Sequence, residues 1–311
     1  MKPASIPILV LCALGGSAAS SAALQEKQAE KPPVYNEKAD AKADIAAALA
    51  RATGENRRVL VQWGANWCGW CKKLHELCGT DEALEKKLLY EYDVVRVDVG
   101  RFDKNMELAA GYGADLKASG VPYLTVLASD GKVLANQETG VFEAEGKHDP
   151  EKVVAFLAAH QAEYKKAADL YQAALAEADA KKKHVFVHFG APWCGWCHLL
   201  ENWMERPEIA ALLAKDFVCV KIDTERTLGG AELLEKLRQS RGDGIPWFAF
   251  LDAEGKELAC STGPQGNVGC PSADDEIAWF LDMLRKGAPS LTPADLGTIQ
   301  SSLVAIRPKA H

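Results

Sequence analysis

The sequence predicts two consecutive α/β domains, each a mixed β-sheet flanked by helices. Three observations carry that prediction. One pattern of residues recurs in order at an offset of about 125 positions, which chance rarely produces. Short β-branched runs alternate with helical stretches in both halves. Each half also carries a turn signal between two strand-like runs, Asp130-Gly131-Lys132 and Glu254-Gly255-Lys256, as a hairpin requires.

The elements follow in order. Lys2, the apolar run Ile6 to Leu14 and the small residues Gly15 to Ala23 make residues 1–23 a secretory signal, too short in its apolar part to span a membrane. Cys12 follows Leu11, where a lipoprotein signal has a small residue, and so belongs to the discarded peptide. Residues 24–36, rich in Glu and Lys around Pro32-Pro33, read as a flexible linker. The first domain is then 37–163 and the second 164–288, with 289–311 a helical extension whose helix spans Thr292 to Ile306.

Arg58-Val59-Leu60-Val61-Gln62-Trp63-Gly64 in the first half answers His184-Val185-Phe186-Val187-His188-Phe189-Gly190 in the second. Both are apolar strand-like runs. Val95 to Asp98 answers Val220 to Asp223, and Gly120-Val121-Pro122 answers Gly244-Ile245-Pro246. Lys38 to Ala52, Asp81 to Tyr90, Pro150 to His160 and Ala168 to Ala180 are rich in Ala, Leu, Glu and Lys, with few breakers, and read as helices.

With 311 residues, 48% of them hydrophobic, the chain is long enough for two modest cores. A formal net charge of -7 gives no electrostatic reason for binding nucleic acid or anionic membranes. The nine cysteines do not form a stapled scaffold. Two close pairs, Cys68/Cys71 and Cys194/Cys197, lie far apart, while Cys78, Cys219, Cys260 and Cys270 are scattered.

Each pair sits where a strand hands over to a helix. Cysteines three apart at a helix start can close a reversible disulfide across one turn. The first sulfur lies near unsatisfied N–H groups and the positive end of the helix dipole, which favour thiolate. Such thiols have pKa values of roughly 3.5 to 7.5, against about 8.5 when free, and the thiolate is the attacking species. Cys68 or Cys194 would attack a partner's disulfide, and Cys71 or Cys197 would resolve the mixed disulfide. Trp67 and Trp193 border these sites, and Trp70 and Trp196 lie between the cysteines, where bulk favours unfolded or apolar protein partners.

Trp-Cys-x-x-Cys after a strand, with a downstream Val-Pro or Ile-Pro before another strand, resembles the thioredoxin family over nearly all of residues 45–285. The resemblance implies cis peptides before Pro122 and Pro246 beside the active-site sulfurs. It also implies that Val121 and Ile245 pair with bound substrate peptide as an added strand. It implies thiol-disulfide exchange without a cofactor beyond the redox-active cysteine pairs, and with no metal. The partners would be exported proteins carrying disulfides or thiols, with a membrane thiol-electron donor or acceptor also compatible. The setting would be the periplasm or the extracellular space.

The halves depart from that family where a buried Asp precedes the first active-site cysteine by six residues. Here Gln62 and His188 occupy that place. Gln62 cannot accept a proton as a carboxylate does, whereas His188 is expected to titrate near neutral pH, so the two sites should differ in proton handling. Arg96 and Lys221 fall near the family's buried lysine but without its carboxylate partner. His75 and Glu201, four residues past each second cysteine, are assigned to the helix surface.

Three other readings compete. Cys194-Gly195-Trp196-Cys197-His198 matches c-type haem attachment, although Lys72 replaces the histidine in the first half. The two pairs together have the ligand count for a structural zinc site, but from separate domains. A binding scaffold with structural disulfides is the third. Of the other cysteines, Cys219 is expected to be a buried strand residue, Cys78 a free thiol at a helix end, and Cys260 and Cys270 a structural disulfide across a Gly/Pro-rich loop.

Overall fold

The computed structural model describes residues 32–307. The secretory signal expected at 1–23, and residues 24–31 of the expected linker, lie outside the described residues.

In the first half the elements run α1 (Ala41–Glu55), β1 (Arg58–Gly64), α2 (Gly69–Thr80), α3 (Glu82–Glu91), β2 (Tyr92–Asp98), α4 (Met106–Gly111), α5 (Leu116–Ser119), β3 (Tyr123–Leu127), β4 (Val133–Glu138), β5 (Glu143–Ala144), β6 (Lys147–His148) and α6 (Pro150–His160). The second half runs α7 (Ala167–Lys181), β7 (His184–Gly190), α8 (Gly195–Met204), α9 (Pro207–Asp216), β8 (Phe217–Asp223), α10 (Gly230–Arg238), β9 (Trp247–Leu251), β10 (Glu257–Cys260), β11 (Thr262–Gly263), β12 (Gly266–Asn267), α11 (Asp274–Gly287) and α12 (Pro293–Ala305).

The two main sheets have one topology. Their orders are β2-β1-β3-β4 and β8-β7-β9-β10, the first pair parallel and the rest antiparallel. Local signals start the helices: Asp40 accepts from Ala43 N to cap α1, and Asp149 caps α6 ahead of Pro150. Along α1, Ala41, Ile45, Ala48 and Ala52 are buried, the spacing of one helical face.

Central strands β1 and β7 are buried on both sides, and alternation sorts their side chains. Val59, Val61 and Trp63 pack in the cluster that holds α1, whereas Leu60 joins α2, α3 and α6. Likewise Val185, Val187 and Phe189 pack with α7, and Phe186 with α8, α9 and α11. Gln62 and His188 therefore point toward the CxxC helices. Helix α12, expected as an appended extension, lays Ile299 and Leu303 into that second cluster, and Trp203 Nε1 donates to Ser302 Oγ at 2.9 Å.

Three expectations are corrected. The end of the linker is not loose: Tyr35 is 1% exposed, and Asn66 holds its N–H and C=O at 3.0 and 2.9 Å. Cys260 and Cys270 are free thiols rather than a disulfide, because they belong to clusters on opposite faces of the second sheet. Cys219 lies on a strand as expected but is exposed. Its strand is the sheet edge, and the residue borders a cavity of about 260 Å³ facing Gly54 and Glu55.

The two halves share a buried ion pair. Arg226, just after β8, is 5% exposed and reaches Glu91 Oε2 at 3.1 Å, while its other donors go to Glu55 O and Asn56 O at 2.9 and 2.8 Å. Tyr164 also donates to Glu91, whose buried carboxylate is thus fully engaged. No helix among the described residues is long and apolar enough to cross a membrane.

Candidate active site

Strands β1 and β7 deliver the chain to a helix start at which the first cysteine is the N-cap. Cys68 Sγ accepts from Cys71 N, and Cys194 Sγ from Cys197 N, each at 3.1 Å. Each pair is closed as a disulfide, with Cα atoms 5.3 and 5.2 Å apart. His198 Nε2 is held by Pro192 O at 2.8 Å.

The Val121-Pro122 and Ile245-Pro246 peptides are cis. They bring Val121 O to 3.5 Å from Cys68 Sγ and Ile245 O to 3.6 Å from Cys194 Sγ. Sulfur, backbone carbonyl and tryptophan therefore share one edge in each half. Trp67, Trp193 and Trp196 are about half exposed there. Trp70 is more covered: it stands edge-on to His148 at 5.1 Å with the Lys73 ammonium 4.4 Å from its ring centre. Trp193 Nε1 donates to Glu225, the residue before the inter-half Arg226.

Beneath the resolving cysteines the sites diverge. Gln62 pairs in register with Arg96, and His188 with Lys221. Both Gln62 and His188 are buried. Burial, with Lys221 adding to it, pushes the His188 pKa down to about 3, so this imidazole is neutral at physiological pH and is not the expected acceptor. That expectation missed the low-dielectric surroundings, which a single strand position does not reveal.

The carboxylate comes from the helix instead. Glu201, one turn below Cys197 on α8, is 8% exposed, and its Oε2 accepts from Lys221 Nζ at 2.7 Å. A Cβ on Gly190 would stand 3.3 Å from Cys197 Sγ and 3.4 Å from Glu201 Oε1, so sulfur and carboxylate open onto one small space. Burial, opposed by Lys221, holds the Glu201 carboxyl above the ordinary glutamate range. Glu201 is not the helix-surface residue that sequence alone suggested, and Lys221, expected to lack a carboxylate partner, has one. The available signal was Lys221 lacking a partner while an acid stood i+4 from Cys197.

The first site has His75 at the place of Glu201, with Nδ1 unpartnered. Tyr35 fills the space instead. A Cβ on Gly64 would overlap the Tyr35 hydroxyl and stand 3.0 Å from Cys71 Sγ, so only glycine admits that phenol. Burial raises the Tyr35 pKa well above the tyrosine value and keeps it protonated. Glu55, His198 and Glu201 bring potential metal-ligating atoms within 4.8 Å of one another, but the Lys221 ammonium already places a cation there.

Comparison with known proteins fits this frame. Residues 45–153 match a family model described as a thioredoxin-like domain, and residues 166–253 match a second one described as thioredoxin-like. The chain belongs to the thioredoxin superfamily. Protein disulfide-isomerase erp38 of Neurospora crassa is 32% identical over 260 residues, covering 79% of this chain and 62% of that protein. Human Spermatogenesis-associated protein 20 is 32% identical over 77 residues, 24% of this chain and 10% of that protein. The chain thus spans less than two thirds of either relative. A disulphide isomerase structure from Xylella fastidiosa Temecula1 is 33% identical, covering 40% of this chain and 95% of that one, with a TM-score of 0.37. In this thioredoxin-superfamily chain the space beside the second cysteine is thus bordered by a helix carboxylate, Glu201, in one half and by a phenol, Tyr35, in the other.

Proposed function

We propose that the chain is a thiol-disulfide oxidoreductase that exchanges disulfides with exported proteins through two CGWC sites. The observation that carries this reading is the repeated edge on which an N-cap sulfur, a backbone carbonyl and exposed tryptophan come together. Neurospora protein disulfide-isomerase erp38, similar across 79% of this chain, supports the same chemistry. The three-part pattern of residues 1–23 supports export.

Cys68 or Cys194, as thiolate, attacks one sulfur of a partner disulfide, and the partner's other sulfur leaves as thiolate and takes up a proton. The mixed disulfide then loses its partner when Cys71 or Cys197 gives up its proton and attacks the first cysteine. The enzyme ends oxidised and the partner reduced; the reverse sequence oxidises a partner dithiol. Val121 O and Ile245 O accept from the bound peptide's backbone, added as a strand along the exposed edge.

The test is insulin reduction by the full chain, then by Cys68→Ser/Cys194→Ser. Activity lost in the double variant, with Cys71→Ser and Cys197→Ser each trapping mixed disulfides, is the expected result. Equal activity in parent and double variant overturns the reading.

A further inference from the structure

The second site does not end at its own half. Glu55, the last residue of α1, belongs to the first half, yet its carboxylate lies within 4.8 Å of ligating atoms of both His198 and Glu201. Around it are Arg57, 2.8 Å from Glu55 Oε2, Lys221, 2.7 Å from Glu201 Oε2, and His198 Nδ1, 3.8 Å from the same Glu201 oxygen. His188 faces Glu201 Oε1 from 3.9 Å. Titratable groups from α1, β7, α8 and β8 thus converge on the space beneath Cys197, and one acid among them is supplied by the other half.

That placement is fixed by backbone, not by side-chain reach alone. Arg226 binds the carbonyls of Glu55 and Asn56, and Asn56 Nδ2 donates to Glu163 O at 2.9 Å. The loop that anchors α1 also holds Trp193, since Glu225 accepts from both Trp193 and Tyr90.

We propose that the second CGWC site is composite, with Glu55 a positioning residue that tunes Glu201 as the acceptor of the Cys197 proton. The proposal rests on the oxidoreductase reading above. In the resolving step the Cys197 proton passes to the Glu201 carboxylate, the Cys197 sulfur bonds to Cys194, and the partner's sulfur leaves as thiolate and is protonated. A second carboxylate nearby raises the proton affinity of Glu201, while His198 and Lys221 are shared between the two acids. Removing the Glu55 charge makes Glu201 a weaker base without touching either sulfur.

The experiment uses the full chain with Cys68→Ser/Cys71→Ser, so that only the second site reacts. A glutathione mixed disulfide is placed on Cys194, and its resolution by Cys197 is timed from pH 4 to 9. Glu55→Gln should slow resolution several-fold and lower the midpoint of its pH profile by about half a unit to one unit. Glu55→Asp should recover most of both effects. In the Cys194→Ser/Cys197→Ser background, Glu55→Gln should leave the first site's profile unchanged. A Glu55→Gln profile that superimposes on its parent overturns the proposal, and so does an equal loss at both sites with no recovery by Glu55→Asp. If the parent resolves no mixed disulfide at any pH, the oxidoreductase reading fails at this site as well.

Discussion

Glu201 and Lys221 form a 2.7 Å ion pair beneath Cys197, and the glutamate is nine-tenths buried. A general base needs reach and a proton affinity near the working pH. Burial raises the proton affinity of Glu201 above that of an ordinary glutamate, and its carboxylate shares the space at Gly190 with Cys197. Glu201→Gln should therefore slow resolution at the second site by about tenfold or more, most strongly near neutral pH. Single-turnover release of glutathione from Cys194 measures it, and an unchanged rate at pH 7 removes Glu201 from the proton path.

At the first site the Tyr35 phenol stands where the second site has its carboxylate. Tyr35 packs with Cys68 and Cys71, and a phenol that stays protonated cannot take the Cys71 proton, so its effect on the attacking thiolate would come through its hydroxyl dipole. Tyr35→Phe keeps the ring and should slow resolution at that site by about three- to tenfold. Tyr35→Ala should also cost stability, about 3 kcal/mol for an emptied aromatic site. Urea unfolding separates the two effects. If the phenylalanine variant resolves as fast as its parent, the hydroxyl is only packing.

His188 makes a stability prediction with a definite sign. Its folded pKa is about 3, and an unfolded histidine titrates near 6.5. Between those values the unfolded chain binds the extra proton, so the contribution is complete above about pH 6.5 and is lost as pH falls toward 3. The slope is up to about 1.4 kcal/mol per pH unit. His188→Gln, which copies the first half, should remove this part of the slope between pH 6.5 and 4. Urea midpoints across that range check it, and parallel slopes in parent and variant would contradict the burial argument.

What sequence revealed and what it hid divide by the range of the interaction. The Cys68/Cys71 and Cys194/Cys197 pairs, and Pro122 and Pro246, lie in short patterns whose chemistry is local, so both frames were readable. Glu201 is paired with Lys221, twenty positions away on another element, and no helix periodicity reports that contact. Tyr35 sits in a Pro-, Glu- and Lys-rich stretch and is buried only because Gly64 leaves room for its phenol. Strand alternation placed Cys219 on β8, but burial at a sheet edge depends on what packs outside it. Cys260 and Cys270 are close in sequence, yet the β-sheet comes between their clusters.

The Arg226–Glu91 pair sets a last expectation. Both side chains are almost fully buried, and the pair joins residues 135 positions apart. Arg226→Met leaves the Glu91 carboxylate without its cation and frees the carbonyls of Glu55 and Asn56. Breaking a buried pair from one side costs about 3–5 kcal/mol, so the variant should lose stability on that scale. Its two halves should also unfold in separate urea transitions, because the loss falls on the contact between them. Arg226→Met/Glu91→Leu removes the stranded charge and should recover part of the deficit. Tryptophan fluorescence follows both halves through Trp63 and Trp203, each in its own core. A single variant within about 0.5 kcal/mol of the parent, unfolding in one transition, would mean that the halves hold together without this pair.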